Sequence, residues 1–275
     1  MTTVAGLMRA STLPALETRI LLEHVLGWRR TELITRDDEE LAAESVDRFD
    51  ALAHRRAAGE PIAQLVGTRE FFGLEFEVTP DVLIPRPETE LLVEIALEQM
   101  AGIEAPRVLD LGTGSGAIAV AIAFSRDDAQ VWAVDRSADA LAVTACNALK
   151  LLCTNRPLNL LLSDWTSALN PALRFEVIVS NPPYIAQDDP HLSEGDLRFE
   201  PRTALTDEAD GLAAIRTIVQ TAPFFLATGG SLWLEHGYDQ AADVRALLTA
   251  RGFSGVRSER DLAGIERVSG GFFTA

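Results

Sequence analysis

The run Asn181-Pro182-Pro183-Tyr184 is the segment of this 275-residue chain whose residue types indicate chemistry most directly. Each proline has a fixed φ and pushes the residue before it toward extended conformations, so the backbone is stiff before any ligand arrives. On this frame the Asn181 side-chain oxygen and the Pro182 carbonyl are acceptors, and Tyr184 adds a flat aromatic face. Two fixed acceptors beside an aromatic face suit a planar –NH2 group, which offers two N–H donors and a surface for stacking.

Methylation of such a nitrogen is the reaction that the run favours. Its lone pair is delocalised, and two acceptors that hold both N–H groups would aim it at the methyl carbon of a sulfonium donor. Positive charge moves from sulfur to nitrogen, so these acceptors bind the transition state more strongly than the substrate. No strong base is needed, because the proton becomes acidic only after the methyl group has arrived, and positioning supplies most of the rate. In isolation, Asn-Pro is also an ordinary turn after a strand.

A glycine-rich turn, Gly112-Thr113-Gly114-Ser115-Gly116, joins a predicted strand to a predicted helix and indicates a nucleotide-type ligand. Glycines allow a tight turn and a close approach of the ligand to the backbone. Asp135 ends the next predicted strand, where a carboxylate can accept hydrogen bonds from ribose hydroxyls. Asp164 and Trp165 follow the third strand, where a carboxylate can accept from an adenine amino group and an indole can pack on the ring.

The turn does not choose its ligand without further features. Gly112, Gly114 and Ala117 also satisfy the dinucleotide pattern, so a nicotinamide- or flavin-dependent enzyme remains an alternative. Asp110 precedes the turn, and a carboxylate there suits a ligand that carries a sulfonium and an ammonium group but suits a pyrophosphate poorly. This charge argument, together with Asp164 and Trp165, favours S-adenosylmethionine.

The elements that would position these residues alternate between strand and helix after residue 106. This alternation predicts an α/β fold with a mostly parallel, doubly wound sheet covered by helices on both faces. A helix is expected to run from near Glu88 to about Met100, and Ser137 is expected to cap a helix that begins at Ala138. The predicted strands cover residues 108–111, 131–134, 159–162, 177–179, 231–234 and 267–273.

The first 65 or so residues have helical rather than strand periodicity. Apolar residues recur at helical spacing over 16–26, and Gly27 is a plausible end of that helix. The acidic run 37–40 predicts a second helix start, since acidic groups suit the positive end of the helix dipole. A third helix is predicted over 46–58.

A short β element follows, because apolar and acidic residues alternate over 74–78 and Gly73 suits a hairpin bend. We therefore predict three parts. They are an N-terminal helical domain (1–68), a β-hairpin linker (69–84) and a cofactor-binding domain (85–275).

The charge and cysteine content restrict the partners. The formal net charge is −17, and no dense Lys/Arg cluster is present, so a protein or small-molecule substrate is expected rather than duplex DNA. No apolar run reaches the roughly 20 residues of a membrane helix, and the N-terminus lacks the pattern of a signal peptide. Cys146 and Cys153 are expected to be buried, reduced thiols, which predicts a cytoplasmic protein. A monomer is the default expectation, and no metal site is predicted.

Several segments together resemble the protein-(glutamine-N5) methyltransferases that act on class I peptide chain release factors, the HemK/PrmC family. The resemblance covers nearly the whole chain and is far more specific than the glycine turn. The segments are 61–64, 69–72, 83–90, 110–116, 181–184, 189–192, 198–201 and 234–237.

This resemblance implies a class I S-adenosylmethionine methyltransferase fold, with an N-terminal helical domain that helps dock the release factor. It implies methyl transfer to the side-chain amide nitrogen of the glutamine in a Gly-Gly-Gln motif, with S-adenosylhomocysteine as product. It places the turn 112–116, Asp135, Trp165 and Asn181 at the cofactor, and the run 181–184 at the glutamine. Arg86, Glu88 and His191 lie in family-like segments without an assigned role.

Two other enzyme classes also fit parts of the sequence. An adenine-N6 DNA methyltransferase also acts on a planar –NH2 group and could use the same Asn-Pro-Pro-Tyr run. The acidic net charge argues against it. Base flipping also requires contacts to the DNA strand on both sides of the flipped base, which an acidic surface does not favour. A nicotinamide-dependent dehydrogenase would leave this run without an explanation.

Overall fold

A computed structural model describes residues 2–152 and 158–274. Its backbone contacts separate two units, Met1–Thr68 and Arg69–Ala275. None of the described helices is long and apolar enough to cross a membrane.

The first unit is helical and has its own apolar core. Leu21 and Leu22 are fully buried, and Phe49 and Leu65 pack in the same cluster. Gly27 ends the second helix with a φ of +65°, a left-handed conformation that glycine adopts without steric cost. The helices are α1 (Val4–Ala10), α2 (Ala15–Leu26), α3 (Arg30–Thr35), α4 (Ala43–Ala57) and α5 (Ile62–Val66).

The prediction that a helix begins within residues 37–40 is wrong. Helix α3 ends before this run, and the acidic residues lie in a turn. The Glu32 carboxylate accepts from the Arg29 amide at 2.9 Å, so a local hydrogen bond caps the start of α3 at Arg29, eight residues before Asp37. Acidic groups suit a helix start but do not create one, and residues 37–40 lie between α3 and α4.

A two-stranded hairpin, β1 (Thr68–Phe71) and β2 (Leu74–Glu77), follows the helices. Phe72 and Gly73 have φ values of +53° and +74°, as the tightest two-residue hairpin turns require. Phe71 and Phe76 are buried in the core of the second unit together with Leu92. The hairpin, which the sequence set apart as a linker, thus packs as part of that unit.

Asn147 joins the hairpin to the glycine turn. Its amide oxygen accepts from the Glu77 amide at 2.7 Å, and its nitrogen donates to the carbonyls of Glu77 and Ser115 at 3.0 and 2.9 Å. The residue is fully buried, so these backbone groups have little access to water as a substitute partner.

Asn147→Ala is expected to lower the free energy of unfolding by roughly 2–4 kcal/mol, because it leaves buried backbone groups without partners. Chemical denaturation checks this value. Cys146→Ala is the matched control, since Cys146 lies next to Asn147 on an exposed face. Equal denaturation midpoints for both variants would contradict the prediction.

The second unit contains a sheet of seven strands over the described residues. The order is β5-β4-β3-β6-β7-β9-β8, and the first five are parallel neighbours. This confirms the predicted mostly parallel sheet. The strands are β3 (Arg107–Leu111), β4 (Gln130–Asp135), β5 (Asn159–Leu162), β6 (Phe175–Ser180), β7 (Leu226–Glu235), β8 (Ser254–Arg260) and β9 (Glu266–Phe272).

Strand β8 was missed at the sequence level. It pairs antiparallel with β9 at the edge of the sheet, and most of its side chains are exposed or half-buried. A polar edge strand has no apolar alternation by which a sequence could reveal it.

Helices cover the sheet, as the βα alternation predicted. Helix α8 begins after Ser137, whose hydroxyl accepts from the Ala140 amide as the predicted cap. Cys146 on this helix is exposed, so its predicted burial is wrong, while Cys153 lies outside the described residues. The helices are α6 (Glu90–Gln99), α7 (Ala117–Ser125), α8 (Ala138–Leu151), α9 (Arg202–Leu205), α10 (Ala213–Thr221) and α11 (Ala241–Arg251), with 3-10 turns at Pro87–Thr89, Pro190–Ser193, Gly195–Phe199 and Ala222–Phe224.

Candidate active site

A cleft lies at the carboxyl ends of the central strands. The chain runs from β3 to β4 and β5 on one side and then crosses to β6 on the other side of β3. Ligands of open α/β sheets bind where the strand order reverses in this way. The cleft, called the main cleft below, encloses about 980 Å³ of space open to solvent.

The glycine turn forms one wall of the main cleft. Gly112, Gly114 and Gly116 all have positive φ values, between +57° and +81°. The amides of Gly112 and Thr113 donate to the Val134 carbonyl at 2.8 and 2.9 Å, which ties the turn to the end of β4. At Gly116 an added Cβ would lie 2.7 Å from a Thr144 methyl carbon, so only glycine permits this approach of the turn to α8.

Asp135 lies at the end of β4 and lines the main cleft. One carboxylate oxygen accepts from the Gly114 amide and the other from the Ser137 amide, both at 2.9 Å. The carboxylate thereby holds the glycine turn against the start of α8. Each oxygen retains a second acceptor site, so the group can also bind hydroxyls of a ligand.

Asp164 and Trp165 follow β5 and line the main cleft. A Cβ built on Gly112 would lie 3.5 Å from the indole ring, which shows how closely the ring approaches the turn. Trp165 has a φ of +48°, a conformation that bulky residues rarely adopt. Asp164 is exposed at the rim.

Asp110 lies beneath the turn and not in the cleft wall. It is fully buried, and one carboxylate oxygen accepts from the Thr113 hydroxyl at 2.7 Å. Among the described residues the other oxygen has no hydrogen-bond partner. Burial raises the pKa of Asp110 to about 7, against the lowering effect of Thr113. Asp110 was expected to favour a cationic ligand through its charge, but its carboxylate does not line the main cleft and bonds to the turn instead.

The Asn-Pro-Pro-Tyr run begins where β6 ends. The Ser180 hydroxyl donates to the Leu111 carbonyl at 2.6 Å, so the run starts beside the glycine turn. Asn181 lines the main cleft and also a smaller neighbouring space of about 330 Å³, called the side pocket below. The Asn181 amide nitrogen donates to the Thr89 hydroxyl at 3.1 Å.

The two prolines occupy different environments. Pro183 lines the main cleft, whereas Pro182 is buried and is absent from the described walls of both spaces. In the parts of the chain that the structure describes, no donor bonds to the Pro182 carbonyl. This carbonyl therefore keeps its acceptor capacity.

Tyr184 forms part of the side pocket wall. Its hydroxyl donates to the Glu235 carboxylate at 3.5 Å, and its carbonyl accepts from the Gln240 side chain at 3.0 Å. Burial raises the pKa of Tyr184 above its usual value, and the Glu235 charge raises it further, so the phenol stays protonated at neutral pH. The side pocket is lined by Leu83, Arg86, Asn181, Tyr184, Ile185, Leu197, Ala204 and Leu205.

Arg86 lines both spaces and forms an ion pair with Glu200, a pair that the sequence did not reveal. Glu200 is buried and also accepts from the Ile84 amide at 2.9 Å. Burial raises the pKa of Glu200 despite the nearby guanidinium. The two partners are 114 residues apart, and their contact fastens the proline-rich loop to the segment before α9.

Thr89 and Glu235 were also missed as parts of the site. Thr89 is 4% exposed and Glu235 is 2% exposed, and both lie behind the Asn-Pro-Pro-Tyr run. The sequence did contain a signal for Glu235, because this carboxylate directly follows the apolar strand segment 232–234. A charge at such a buried position needs a polar partner.

Two histidines lie in the family-like segments, His191 and His236, and neither lines the main cleft or the side pocket as described. His191 is exposed, with its Nδ1 2.6 Å from an Asp189 oxygen, and this carboxylate raises the pKa of His191. His236 is buried, with its ring nitrogens 2.9 Å from the Gly237 carbonyl and 2.8 Å from the Ser269 hydroxyl.

The sheet order and the cleft at its strand ends are those of the class I methyltransferase fold. The family model of the PrmC N-terminal domain matches residues 4–67, and the family model of the methyltransferase small domain matches residues 87–195. In fold, the chain is similar to the T. thermophilus 16S rRNA N2 G1207 methyltransferase, solved with AdoMet and guanosine. The TM-score is 0.54 at 21% identity, over 74% of this chain and 49% of that chain.

Proteins whose sequences match nearly the whole chain carry the name release factor glutamine methyltransferase. One from Burkholderia pseudomallei is 68% identical over 98% of this chain and 95% of its own length. Another, from Escherichia coli, is 46% identical over 95% of this chain and 93% of its own length. The chain belongs to the family of release factor glutamine methyltransferases.

Proposed function

We propose that this protein transfers the methyl group of S-adenosylmethionine to the side-chain amide nitrogen of the glutamine in the Gly-Gly-Gln motif of class I peptide chain release factors. The observation that carries the proposal is the position of Asn181, which lines both the main cleft and the side pocket. A methyl donor in the one and an amide in the other would meet at this side chain. Membership of the family supports the choice of substrate.

The main cleft has the chemistry that S-adenosylmethionine requires. When bound, this cofactor supplies an electrophilic methyl group on a sulfonium. The walls of the main cleft carry three carboxylates, those of Asp81, Asp135 and Asp164, and the guanidinium groups of Arg86 and Arg136. Since Arg86 is neutralised by Glu200, the balance suits a cationic ligand. Asp135 would bind the ribose hydroxyls, Gly112–Gly116 would cradle the ligand, and Asp164 and Trp165 would bind the adenine.

The side pocket would hold the glutamine side chain. The Asn181 oxygen would accept one N–H, because the Asn181 nitrogen is engaged by Thr89. Pro182 does not line the side pocket, so its carbonyl, which has no donor among the described residues, would accept the second N–H only from an amide that reaches past the pocket wall. Tyr184 would cover the plane of the amide, with Pro183 beside it. These contacts aim the nitrogen lone pair at the main cleft, and no side chain needs to remove a proton before the transfer.

The helical first unit would help dock the release factor, and the net charge of −17 suits a basic protein surface better than direct contact with nucleic acid. We further propose that the protein works as a cytoplasmic monomer. Size-exclusion chromatography with light scattering tests the monomer.

Methyl-labelled S-adenosylmethionine tests the reaction itself. Label is expected on a purified class I release factor and not on its Gly-Gly-Gln variant with Gln→Ala, because the alanine offers no amide nitrogen. Adenine-containing DNA, supplied in a parallel sample, is expected to stay unlabelled. Label on the DNA, or equal label on both release factors, would disprove the proposed acceptor.

A further inference from the structure

Tyr184 is the member of the Asn-Pro-Pro-Tyr run whose conformation the prolines do not fix. Pro183 has a fixed φ, and each proline restricts the residue before it, so both effects end at Pro183. The φ and ψ of Tyr184 are free of them. Its hydroxyl lies 3.5 Å from the Glu235 carboxylate, which is long for an O–H···O hydrogen bond, so this contact holds the ring only weakly. The aromatic face therefore needs another anchor.

Gln240 supplies this anchor at the backbone of Tyr184. Its amide nitrogen donates to the Tyr184 carbonyl at 3.0 Å and to the Gly211 carbonyl at 3.2 Å, and its amide oxygen accepts from the Gly237 amide at 2.9 Å. The two carbonyls can only accept and the backbone N–H can only donate, so a reversed side-chain amide would satisfy none of the three. The amide of Gln240 therefore has one orientation, and it ties three separate segments together.

Gly211 brings the second of these segments close to Tyr184. It is buried with a φ of +80°, and an added Cβ would lie 2.5 Å from the Tyr184 carbonyl oxygen and 3.0 Å from the Gln240 nitrogen. Only glycine permits this approach. Asp207 fixes the position of the glycine, because its carboxylate accepts from the amides of Gly211 and Ala213 at 3.0 and 2.6 Å.

The peptide group that follows Tyr184 is bound on both sides. The Ile185 amide donates to the Leu205 carbonyl at 3.0 Å, and the Tyr184 carbonyl accepts from Gln240. A planar peptide group whose N–H and C=O are both bound cannot rotate without breaking both hydrogen bonds, so the ψ of Tyr184 is fixed. The direction in which the ring leaves the backbone is fixed with it.

We propose that Gln240 is a positioning residue for methyl transfer and that, together with Gly211, it holds the aromatic face of Tyr184 against the acceptor amide. The inference rests on the proposed function. Gln240 lines neither the main cleft nor the side pocket as described, so it acts through Tyr184 and not by contact with either ligand. The inference also gives a role to the family-like segment 234–237, whose Gly237 amide bonds to Gln240.

The first test observes Tyr184 without any substrate. The chain has two tyrosines, so Tyr238→Phe protein labelled with 3-fluorotyrosine carries a single 19F signal, that of Tyr184. Adding Gln240→Glu, which keeps an acceptor for the Gly237 amide, is expected to shift and broaden this signal, because a carboxylate cannot donate to the Tyr184 carbonyl. Gln220→Glu, exposed on α10, adds the same charge and is the control. An unchanged signal in Gln240→Glu, or an equal shift in the control, would overturn the inference.

The second test is a double-mutant cycle on kcat with release factor as the substrate. Gln240→Met, which is similar in size and lacks the amide, is expected to lower kcat roughly tenfold to a hundredfold, with KM for S-adenosylmethionine little changed. In a Tyr184→Ala background, where no ring remains to be positioned, the same substitution is expected to have little further effect. An equal loss in both backgrounds, which a purely structural role would give, would overturn the inference, and so would a wild-type kcat in Gln240→Met.

Gly211→Ala and Gly229→Ala form a matched pair that tests the close approach to Tyr184. The two glycines have φ values of +80° and +78°, so alanine meets a similar backbone strain at both. An added Cβ would contact the Tyr184 carbonyl at Gly211 but would meet nothing within 4 Å at Gly229. Gly211→Ala is expected to lower kcat roughly tenfold or more, and Gly229→Ala is expected to turn over at the wild-type rate. Equal kcat values in the two variants would contradict the role of Gly211.

These tests separate the inference from the proposed function. A wild-type protein that leaves release factor unlabelled would disprove the acceptor, while the 19F signal in Gln240→Glu still decides whether Gln240 holds Tyr184. A wild-type protein that labels release factor, with Gln240→Met equally fast, would overturn the positioning role alone.

Discussion

Asn181→Ala is expected to lower kcat for release factor methylation by roughly 10²–10³-fold, the usual loss when one fixed polar group at a transition state is removed. Alanine cannot accept an N–H of the glutamine, so the nitrogen is neither aimed at the methyl carbon nor stabilised as positive charge develops on it. Single-turnover assays with saturating S-adenosylmethionine measure this loss directly.

The same variant is expected to keep most of its affinity for S-adenosylmethionine, because Asp135 and the glycine turn are untouched. Isothermal titration calorimetry checks the affinity. Asn170→Ala, on an exposed loop, is the matched control and is expected to turn over at the wild-type rate. If Asn181→Ala methylates as fast as this control, the two-acceptor arrangement is incorrect.

Asp135→Ala is expected to weaken S-adenosylmethionine binding about tenfold to a hundredfold. The substitution removes charge-assisted hydrogen bonds to the ribose, each worth roughly 1.5–3 kcal/mol, and it also frees the Gly114 and Ser137 amides that shape the turn. Titration calorimetry with S-adenosylmethionine and with S-adenosylhomocysteine measures the effect, which should be similar for both because both carry the ribose.

Asp135→Asn separates the two roles of this carboxylate, since asparagine keeps one acceptor oxygen. It is expected to bind S-adenosylmethionine with an affinity between those of the wild type and Asp135→Ala. Asp139→Ala, exposed at the start of α8, removes a nearby charge outside the main cleft and serves as the control. Wild-type affinity in Asp135→Ala would exclude Asp135 from the cofactor site.

Most of the sheet was predictable from the sequence because its central strands are buried on both faces. Strands such as β3 and β6 read as short apolar runs, and the helices between them have their own periodicity. The polar edge strand β8 carried no such signal. The helix start predicted at the acidic run 37–40 was wrong, because acidic residues suit a helix start without showing that a helix begins there.

The site was predictable only in part. Asp135 and Asn181 follow apolar strands, and strand ends meet at one edge of a parallel sheet, so their convergence could be foreseen. The burial of Asp110 beneath the turn could not be foreseen, since it depends on how the turn closes over β3. Its role at the cofactor, argued from charge alone, changed for that reason.

The local sequence determines three features of this protein. They are the stiff acceptor frame of residues 181–184, the positive φ values of the glycine turn, and the alternation of strands and helices that builds the sheet. What only the folded chain decides is which distant groups complete them. Thr89 lies 92 residues before Asn181, and Glu235 lies 51 residues after Tyr184. Such pairings arise because folding buries polar groups that must then find partners, and no spacing along the sequence specifies which partner each will meet.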